Sequence, residues 1–168
     1  MNKFFLVALL ILGFGTANAQ KFAYVNTQDI LEKLPEFQKA QKEIDALSEK
    51  WQKEVEAKQN EIEKMYQAYQ KEQILLPDEM KRKREDEIIQ KEKELKEFQR
   101  KIFGTNGELF QKRQELIKPI QEKIYKAIEE VAQQGGFQII FDKSNNASIL
   151  FTDPKLDKSK EVLKKLGQ

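Results

Sequence analysis

The sequence predicts an α+β protein, mostly α: a long antiparallel helical hairpin, a coiled-coil tentacle, emerging from a small β-body. Three observations predict it. Stretches free of Gly and Pro run from Glu36 to Leu76 and from Asp78 to Phe103. Apolar residues recur every seven positions along both stretches, the period of a left-handed coiled coil. Short runs of β-branched and aromatic residues stand near the two ends of the chain, Lys21–Val25 and Phe137–Phe141, and read as strands.

The first segment is set apart from the fold. Lys3, the apolar and Gly run Phe4–Phe14 and the small-x-small step Ala17-Asn18-Ala19 have the layout of a secretory signal peptide, with cleavage expected after Ala19. The apolar run is shorter than the roughly 18 residues a membrane span needs. The remaining 149 residues carry 29 Lys and Arg against 28 Asp and Glu, a net charge of +1. The chain has no Cys and no His, which removes thiol nucleophiles, disulfides, zinc fingers and Ser-His-Asp triads. A missing Cys after the signal also argues against an N-terminal lipid anchor. Near-neutral charge gives no electrostatic reason to bind nucleic acid. There is no Gly-rich phosphate loop. The carboxylates alternate with Lys at spacings of three or four, the pattern of a solvated helix face. No catalytic residue, metal or cofactor is expected, and the protein does not read as an enzyme.

After the opening strand, Asn26 or Thr27 is placed to cap a helix. Leu75-Leu76-Pro77-Asp78-Glu79 is the strong turn signal between the two long stretches. Pro77 lies 42 residues from both Pro35 and Pro119, so a fold at Pro77 brings the outer prolines level at the hairpin base. Each arm would reach roughly 60 Å at 1.5 Å per residue. Phe37, Ile44, Trp51 and Met65 form one seven-residue series, interrupted by Lys58; Leu34, Val55, Ile62 and Tyr69 share a second. The return arm carries two neighbouring series: Ile88, Leu95, Ile102, Leu109 and Leu116, and Ile89, Phe103, Phe110, Ile117, Ile124 and Val131. The expected register sets Ile44 against Phe110, Trp51 against Phe103 and Met65 against Ile89, with Lys58 facing Lys96. Gly104-Thr105-Asn106-Gly107 interrupts the return arm, where each Gly costs about 1 kcal/mol relative to Ala. It reads either as a tolerated bend opposite Trp51 or as a hinge.

Beyond Pro119 the helix is expected to resume and to stop at Gln133-Gln134-Gly135-Gly136, where Gly can take the left-handed conformation. Phe137–Phe141, a turn over Asp142–Asn146 and Ala147–Phe151 read as a β-hairpin. Asp157 is placed to cap a terminal helix presenting Val162, Leu163 and Leu166.

Both ends together resemble the Skp/OmpH family of periplasmic chaperones. The opening Lys21-Phe22-Ala23-Tyr24-Val25-Asn26 is similar to that family's first strand. Gly136 to Asp142, Ile149-Leu150-Phe151 and the segment from Leu156-Asp157 through Leu166 are similar to its closing hairpin and helix. The resemblance implies a homotrimer whose β-barrel-like body holds three helical tentacles around a cavity. There, unfolded outer-membrane proteins would be kept from aggregating without ATP, in the periplasm. Family members are often strongly basic, whereas this chain is near neutral, and it has no counterpart of the basic lipopolysaccharide-contacting cluster proposed for one of them.

On this reading residues 1–19 are the signal peptide, 20–34 and 120–168 the body and trimerisation domain, and 35–119 the tentacle, with its tip near 75–80. Phe22, Tyr24, Val25, Phe137, Ile139, Phe141, Ile149 and Phe151 would form the body and trimer core. Two candidate client-binding surfaces stand out: Met80, Lys81, Arg82, Lys83 and Arg84 at the tip, and Met65, Tyr66, Tyr69 and Phe98 on the arms. The expected partners are unfolded outer-membrane proteins and two further copies of the chain, with transient contact to the membrane surface or the outer-membrane assembly machinery, and no nucleic acid. The competing reading is a periplasmic coiled-coil scaffold or adaptor that holds no client.

Overall fold

A computed structural model describes residues 20–144 and 149–168. The expected signal peptide, the end of the expected turn at Asn145-Asn146 and the start of the expected return strand at Ala147-Ser148 lie outside these residues. In chain order the elements are β1 (Phe22–Val25), α1 (Thr27–Lys33), α2 (Pro35–Glu72), α3 (Asp78–Phe103), α4 (Glu108–Gly135), β2 (Ile139–Asp142), a 3-10 turn (Pro154–Leu156) and α5 (Ser159–Lys165).

The core sits at the base of the hairpin. Val25 of β1, Ile30 and Leu31 of α1, Leu34, Ala40 of α2, Ile120, Ile124, Ala127 and Val131 of α4, and Val162 and Leu163 of α5 form one buried cluster. Its order begins with a cap: the Asn26 Oδ1 accepts the Asp29 N–H at 3.2 Å. Leu34 is extended because it precedes Pro35, so α1 stops there and α2 restarts with Pro35 in its first turn. α2 then runs for 38 residues, about 57 Å at 1.5 Å per residue. On the way back α4 passes through Pro119 without a break. It ends at Gly136, whose φ of 63° allows the Phe137 N–H to reach back to the Ala132 carbonyl at 2.9 Å. The aromatic ring of Phe137 folds over Gly135, where a Cβ would lie 2.2 Å from it.

β1 and β2 pair in parallel, with Phe22 opposite Ile139 and Val25 opposite Asp142. The whole helical hairpin is therefore the crossover between two adjacent strands. On the other side of β1, Tyr24 bridges to Asp157, and the Lys158 N–H donates to the Tyr24 carbonyl at 2.9 Å. The expected β-hairpin is not what forms. β2 takes β1 as its partner, and Ile149-Leu150-Phe151 is not a strand, with Leu150 95% and Phe151 84% exposed. The apolar run has strand composition, but among the described residues it pairs with neither β1 nor β2.

Asp142 locks the end of β2 onto the start of α1. Its carboxylate accepts the Thr27 N–H (3.2 Å), the Thr27 hydroxyl (2.5 Å), the Ser144 N–H (3.0 Å) and the Ser144 hydroxyl (2.9 Å). Burial pushes this carboxyl up, but the four hydrogen bonds outweigh that and hold it below the ordinary value of 3.8. A carboxyl depressed by folding contributes stability that is complete above its unfolded pKa and is lost as pH falls through the folded value. Asp142→Asn is expected to lower stability by about 1 kcal/mol at neutral pH, as for loss of a helix cap. Urea unfolding of both proteins should show that difference constant above about pH 5 and shrinking below about pH 4, where wild-type Asp142 also becomes protonated.

The arms lie close to the expected register. A fold at Pro77 sets Tyr69 opposite Glu85, and the Tyr69 hydroxyl donates to Glu85. Glu61 meets Lys91 at 3.1 Å and Glu43 meets Lys112 at 3.9 Å, both within two residues of the expected position. At the base Glu36 meets Lys123 at 2.6 Å instead of Lys118.

The inward row differs from the expected one. Ile88 and Ile102 are 5% and 2% exposed, whereas Ile89, Phe103 and Phe110 are 60%, 39% and 44% exposed. The expected pairs Met65–Ile89, Trp51–Phe103 and Ile44–Phe110 are therefore not the seam; Met65 instead shares a small cavity lining with Ile88. Lys58 does not confront Lys96 either. Its ammonium lies 5.4 Å from the centre of the Phe98 ring, where the aromatic face attracts the cation and its stem stays packed.

The expected interruption is a true break: α3 ends at Phe103 and α4 begins at Glu108. Both flanking glycines have negative φ, so glycine is needed there for space. A Cβ on Gly104 would lie 2.3 Å from the Arg100 carbonyl oxygen, and one on Gly107 2.4 Å from that of Ile102. Because the chain has no native Cys, paired cysteines read the seam directly. Met65→Cys with Ile88→Cys should close a disulfide under mild oxidation. Met65→Cys with Ile89→Cys should do so at least ten-fold more slowly, about the ratio expected from 1.4 kcal/mol of distortion. Equal rates on non-reducing gels would overturn the seam.

Candidate functional site

The surface most suited to binding is the flank of the hairpin that the seam leaves uncovered. α2 covers one row of the return arm. The neighbouring row, Ile89, Phe103 and Phe110, faces outward, and Tyr125 continues it toward the base, 62% exposed. A groove of about 520 Å³ runs along α4 between Phe110, Arg113, Ile117, Gln121 and Tyr125. Its floor is aromatic and aliphatic and its rim carries Arg113, Lys118 and Glu122. Such a surface offers shallow apolar contact with charges at its margin and no deep pocket that would select one ligand.

The ion pairs on the arms are exposed. Lys53–Glu49 at 2.6 Å and Lys91–Glu61 at 3.1 Å raise the Lys pKa values, and Lys53 lowers that of Glu49, through the hydrogen bond first and the charge second. Exposed pairs of this kind are screened by solvent, contribute little to stability and leave the flanks hydrated. No described side-chain polar atom is buried without a partner.

The candidate arm residues fall in two groups. Tyr66 is exposed, while Met65, Tyr69 and Phe98 are half-buried, Tyr69 being tied to Glu85 and Phe98 lying under Lys58. The candidate tip residues Met80, Arg82, Lys83 and Arg84 are exposed, and Lys81 is half-buried with its ammonium 3.4 Å from Asp78. Of the candidate body residues, Tyr24 and Val25 are buried within the chain. Phe137 and Ile149 are half-buried, and Phe22, Ile139, Phe141 and Phe151 are exposed. Phe22 and Phe141 stand 6.4 Å apart, ring centre to ring centre. With Tyr24, Ile149, Leu150, Phe151 and Leu156 they line one apolar hollow of about 530 Å³ on the body.

Two sets were not singled out from the sequence. Ile89 and Phe110 belong to the second of two adjacent apolar series on the return arm; one partner helix covers only about one such series, so the sequence shows that part of the stripe lies outside the seam, and Tyr125 belongs to neither series. Leu75 reads only as part of the turn Leu75–Glu79 and Ile74 lies just before it, although an Ile-Leu-Leu run before Pro77 is unusual for a solvated loop.

A helical hairpin of this length, apolar along one flank and closed at its base by a small parallel sheet, defines the architecture. The chain belongs to the Skp/OmpH family: the family described as outer membrane protein (OmpH-like) matches residues 21–166, and this is a family of chaperones. An uncharacterized protein of Aquifex aeolicus (strain VF5) is 32% identical over 168 residues, covering 100% of this chain and 98% of the relative. The crystal structure of a Caulobacter crescentus CB15 protein, assigned as an OmpH-like outer membrane chaperone, superposes with a TM-score of 0.72. That match covers 88% of this chain and 84% of the other at 9% identity, so it speaks for the fold.

Proposed function

We propose that the protein is an ATP-independent periplasmic holding chaperone. It binds unfolded outer-membrane proteins in a cavity between helical arms, along the apolar flank that the hairpin seam leaves uncovered, and prevents their aggregation. The observation that carries this reading is the uncovered row Ile89, Phe103 and Phe110 on a long, ion-paired hairpin. Many shallow apolar contacts retain a disordered chain without fixing one structure, and each is weak enough to release without fuel. Met65, Tyr66, Tyr69 and Phe98 serve in this reading as further client contacts on the arms. The basic run Lys81–Arg84 acts on encounter, because exposed charges accelerate association and are screened beyond about 8 Å at physiological salt. Family membership and the signal-peptide pattern of residues 1–19 both support a periplasmic setting. In this reading the segments around 20–34 and 120–168 form the body and 35–119 the tentacle.

The body requires further copies of the chain. Among the described residues β2 has an open outer edge, and the exposed Leu150 and Phe151 line the same hollow as Phe22 and Phe141. An unpaired strand edge flanked by exposed aromatics is stabilised by pairing with another chain. Three copies is the number the family resemblance implies, and multivalent enclosure between three arms would raise the effective concentration of client contacts. Light scattering coupled to size exclusion should give a trimer at micromolar concentration. Leu150→Glu with Phe151→Glu should yield monomers that keep the helical circular-dichroism spectrum. A wild-type monomer would overturn the assembly.

Dilution of a urea-unfolded outer-membrane protein tests the function itself. Stoichiometric amounts of the chain should suppress turbidity, whereas a scaffold or adaptor would leave it unchanged. Phe103→Ser with Phe110→Ser should weaken client affinity roughly ten-fold or more, since burying each Phe contributes about 1.5–3 kcal/mol when complete. The fold should persist, because neither side chain is in the buried cluster.

A further inference from the structure

Cleavage after Ala19, the step that the signal-peptide pattern of residues 1–19 implies, leaves Gln20 as the first residue of the mature chain. A terminal glutamine carries both a nucleophile and an electrophile. Its α-amine and its side-chain amide carbon are separated by Cα, Cβ and Cγ, so a bond between them closes an unstrained lactam ring. An internal glutamine has no free α-amine. A terminal glutamate has a poorer leaving group than an amide. The chemistry therefore becomes available at this residue only once its bond to Ala19 is cut.

The fold leaves Gln20 free to react. It is exposed and precedes β1, which begins at Phe22. Among the described residues no hydrogen bond involves it, whereas the next residue is anchored twice. The Lys21 carbonyl accepts the Gln138 N–H at 3.0 Å, and the Lys21 ammonium donates to the Gly135 carbonyl at 3.4 Å. The Gln20 side chain can thus fold back onto its own amine without breaking a contact of the sheet. The α-ammonium has no electrostatic task there either. The carbonyl end of α4, where partial negative charge collects, is met by the Lys21 ammonium instead.

We propose that the mature chain closes its own N-terminus: Gln20 cyclises to pyroglutamate and caps β1 with a neutral lactam. The unprotonated α-amine attacks Cδ of the side-chain amide. The N–Cδ bond forms, the Cδ–Nε2 bond breaks, and ammonia leaves with a proton given up by the attacking amine. No oxidant, cofactor or second protein is consumed. Because both reacting groups belong to one residue, the step is first order. It removes the α-ammonium, so a mature chain with 29 Lys and Arg against 28 Asp and Glu goes from a net charge of +1 to neutral, the α-carboxylate remaining. It also removes the free amine by which an aminopeptidase holds its substrate. That protects the sheet, because loss of Gln20 and Lys21 would delete both anchors at the entry to β1, where Ala23, Tyr24 and Val25 are buried. Cyclisation depends on cleavage after Ala19 and is independent of client holding.

The full chain, produced with its own leader in a Gram-negative host and recovered from the periplasm, provides the test. Intact mass spectrometry should show a chain running from Gln20 to Gln168 that is lighter than its sequence by one ammonia, and fragmentation should place the loss on residue 20. Edman degradation should give no sequence until a pyroglutamate-specific aminopeptidase opens the terminus, and should then begin at Lys21. Any fraction still open at purification should close at neutral pH with a first-order time course whose rate is unchanged on dilution. Gln20→Ala should keep its full mass and a sequenceable amine. A broad-specificity aminopeptidase should remove its first residue while leaving the wild-type terminus intact. A chain that starts at Gln20 and keeps its full mass overturns the cyclisation, and an open fraction that stays open once purified overturns closure by the chain itself. Equal resistance of wild type and Gln20→Ala to the aminopeptidase overturns the protective role. A first residue other than Gln20 overturns the proposal at the cleavage step, and the intact mass tells that failure from the others.

Discussion

One helix can bury only one row of its partner's side chains, and the return arm carries two. Everything distinctive along the hairpin follows from that mismatch. Once α2 covers Ile88 and Ile102, the row of Ile89, Phe103 and Phe110 must face outward. A single-chain hairpin built only for stability would carry Lys or Glu there, as its other faces do. The apolar row lowers the solubility of the arm and has value only if something transiently covers it.

The same constraint explains why the core is at the base. Below the Gly104–Gly107 break α4 packs against α1, α2 and α5 together, and its apolar positions Ile120, Ile124, Ala127 and Val131 find partners on several sides. Above the break α3 has α2 alone, and Ile88 and Ile102 are its only buried residues. The break itself lets α4 face a different set of neighbours from α3. Rigidity is thus concentrated in the body, and the reach of the arm depends on helix propensity, one apolar row and exposed ion pairs. Local openings of low free energy are expected where buried apolar contacts are few.

The long elements were legible in the sequence because their signals are local. Absence of Gly and Pro, a seven-residue period and Pro77 define α2, α3 and the turn without reference to anything distant. Gly136 as the left-handed helix stop was legible for the same reason. The choice between two adjacent rows was not, since Ile88 and Ile89 both suit a seam and only three-dimensional register separates them. The partner of β2 was missed because a parallel pairing with Phe22–Val25 leaves no turn signature, whereas Asp142–Asn146 resembles a hairpin turn. At the candidate site, the basic run after Met80 was visible as charge. The exposure of Ile74 and Leu75 was not, because an apolar triplet beside proline reads first as punctuation.

The parallel pairing of β1 with β2 also orders events in time. Lys21 meets Gly135 across a separation of 114 residues, so the first strand emerges long before its neighbour exists. Joining ends so far apart through a flexible chain is entropically unfavourable, by an amount that grows with the logarithm of loop length. Zipping the two arms from Pro77 converts that long loop into a rigid rod whose ends are already adjacent. The sheet is therefore the last part to form, and a chain interrupted before Ile139 would hold a folded arm on an unclosed body. Any assembly that uses the edge of β2 is in this way restricted to chains that extend past Asp142 and have brought their two arms together.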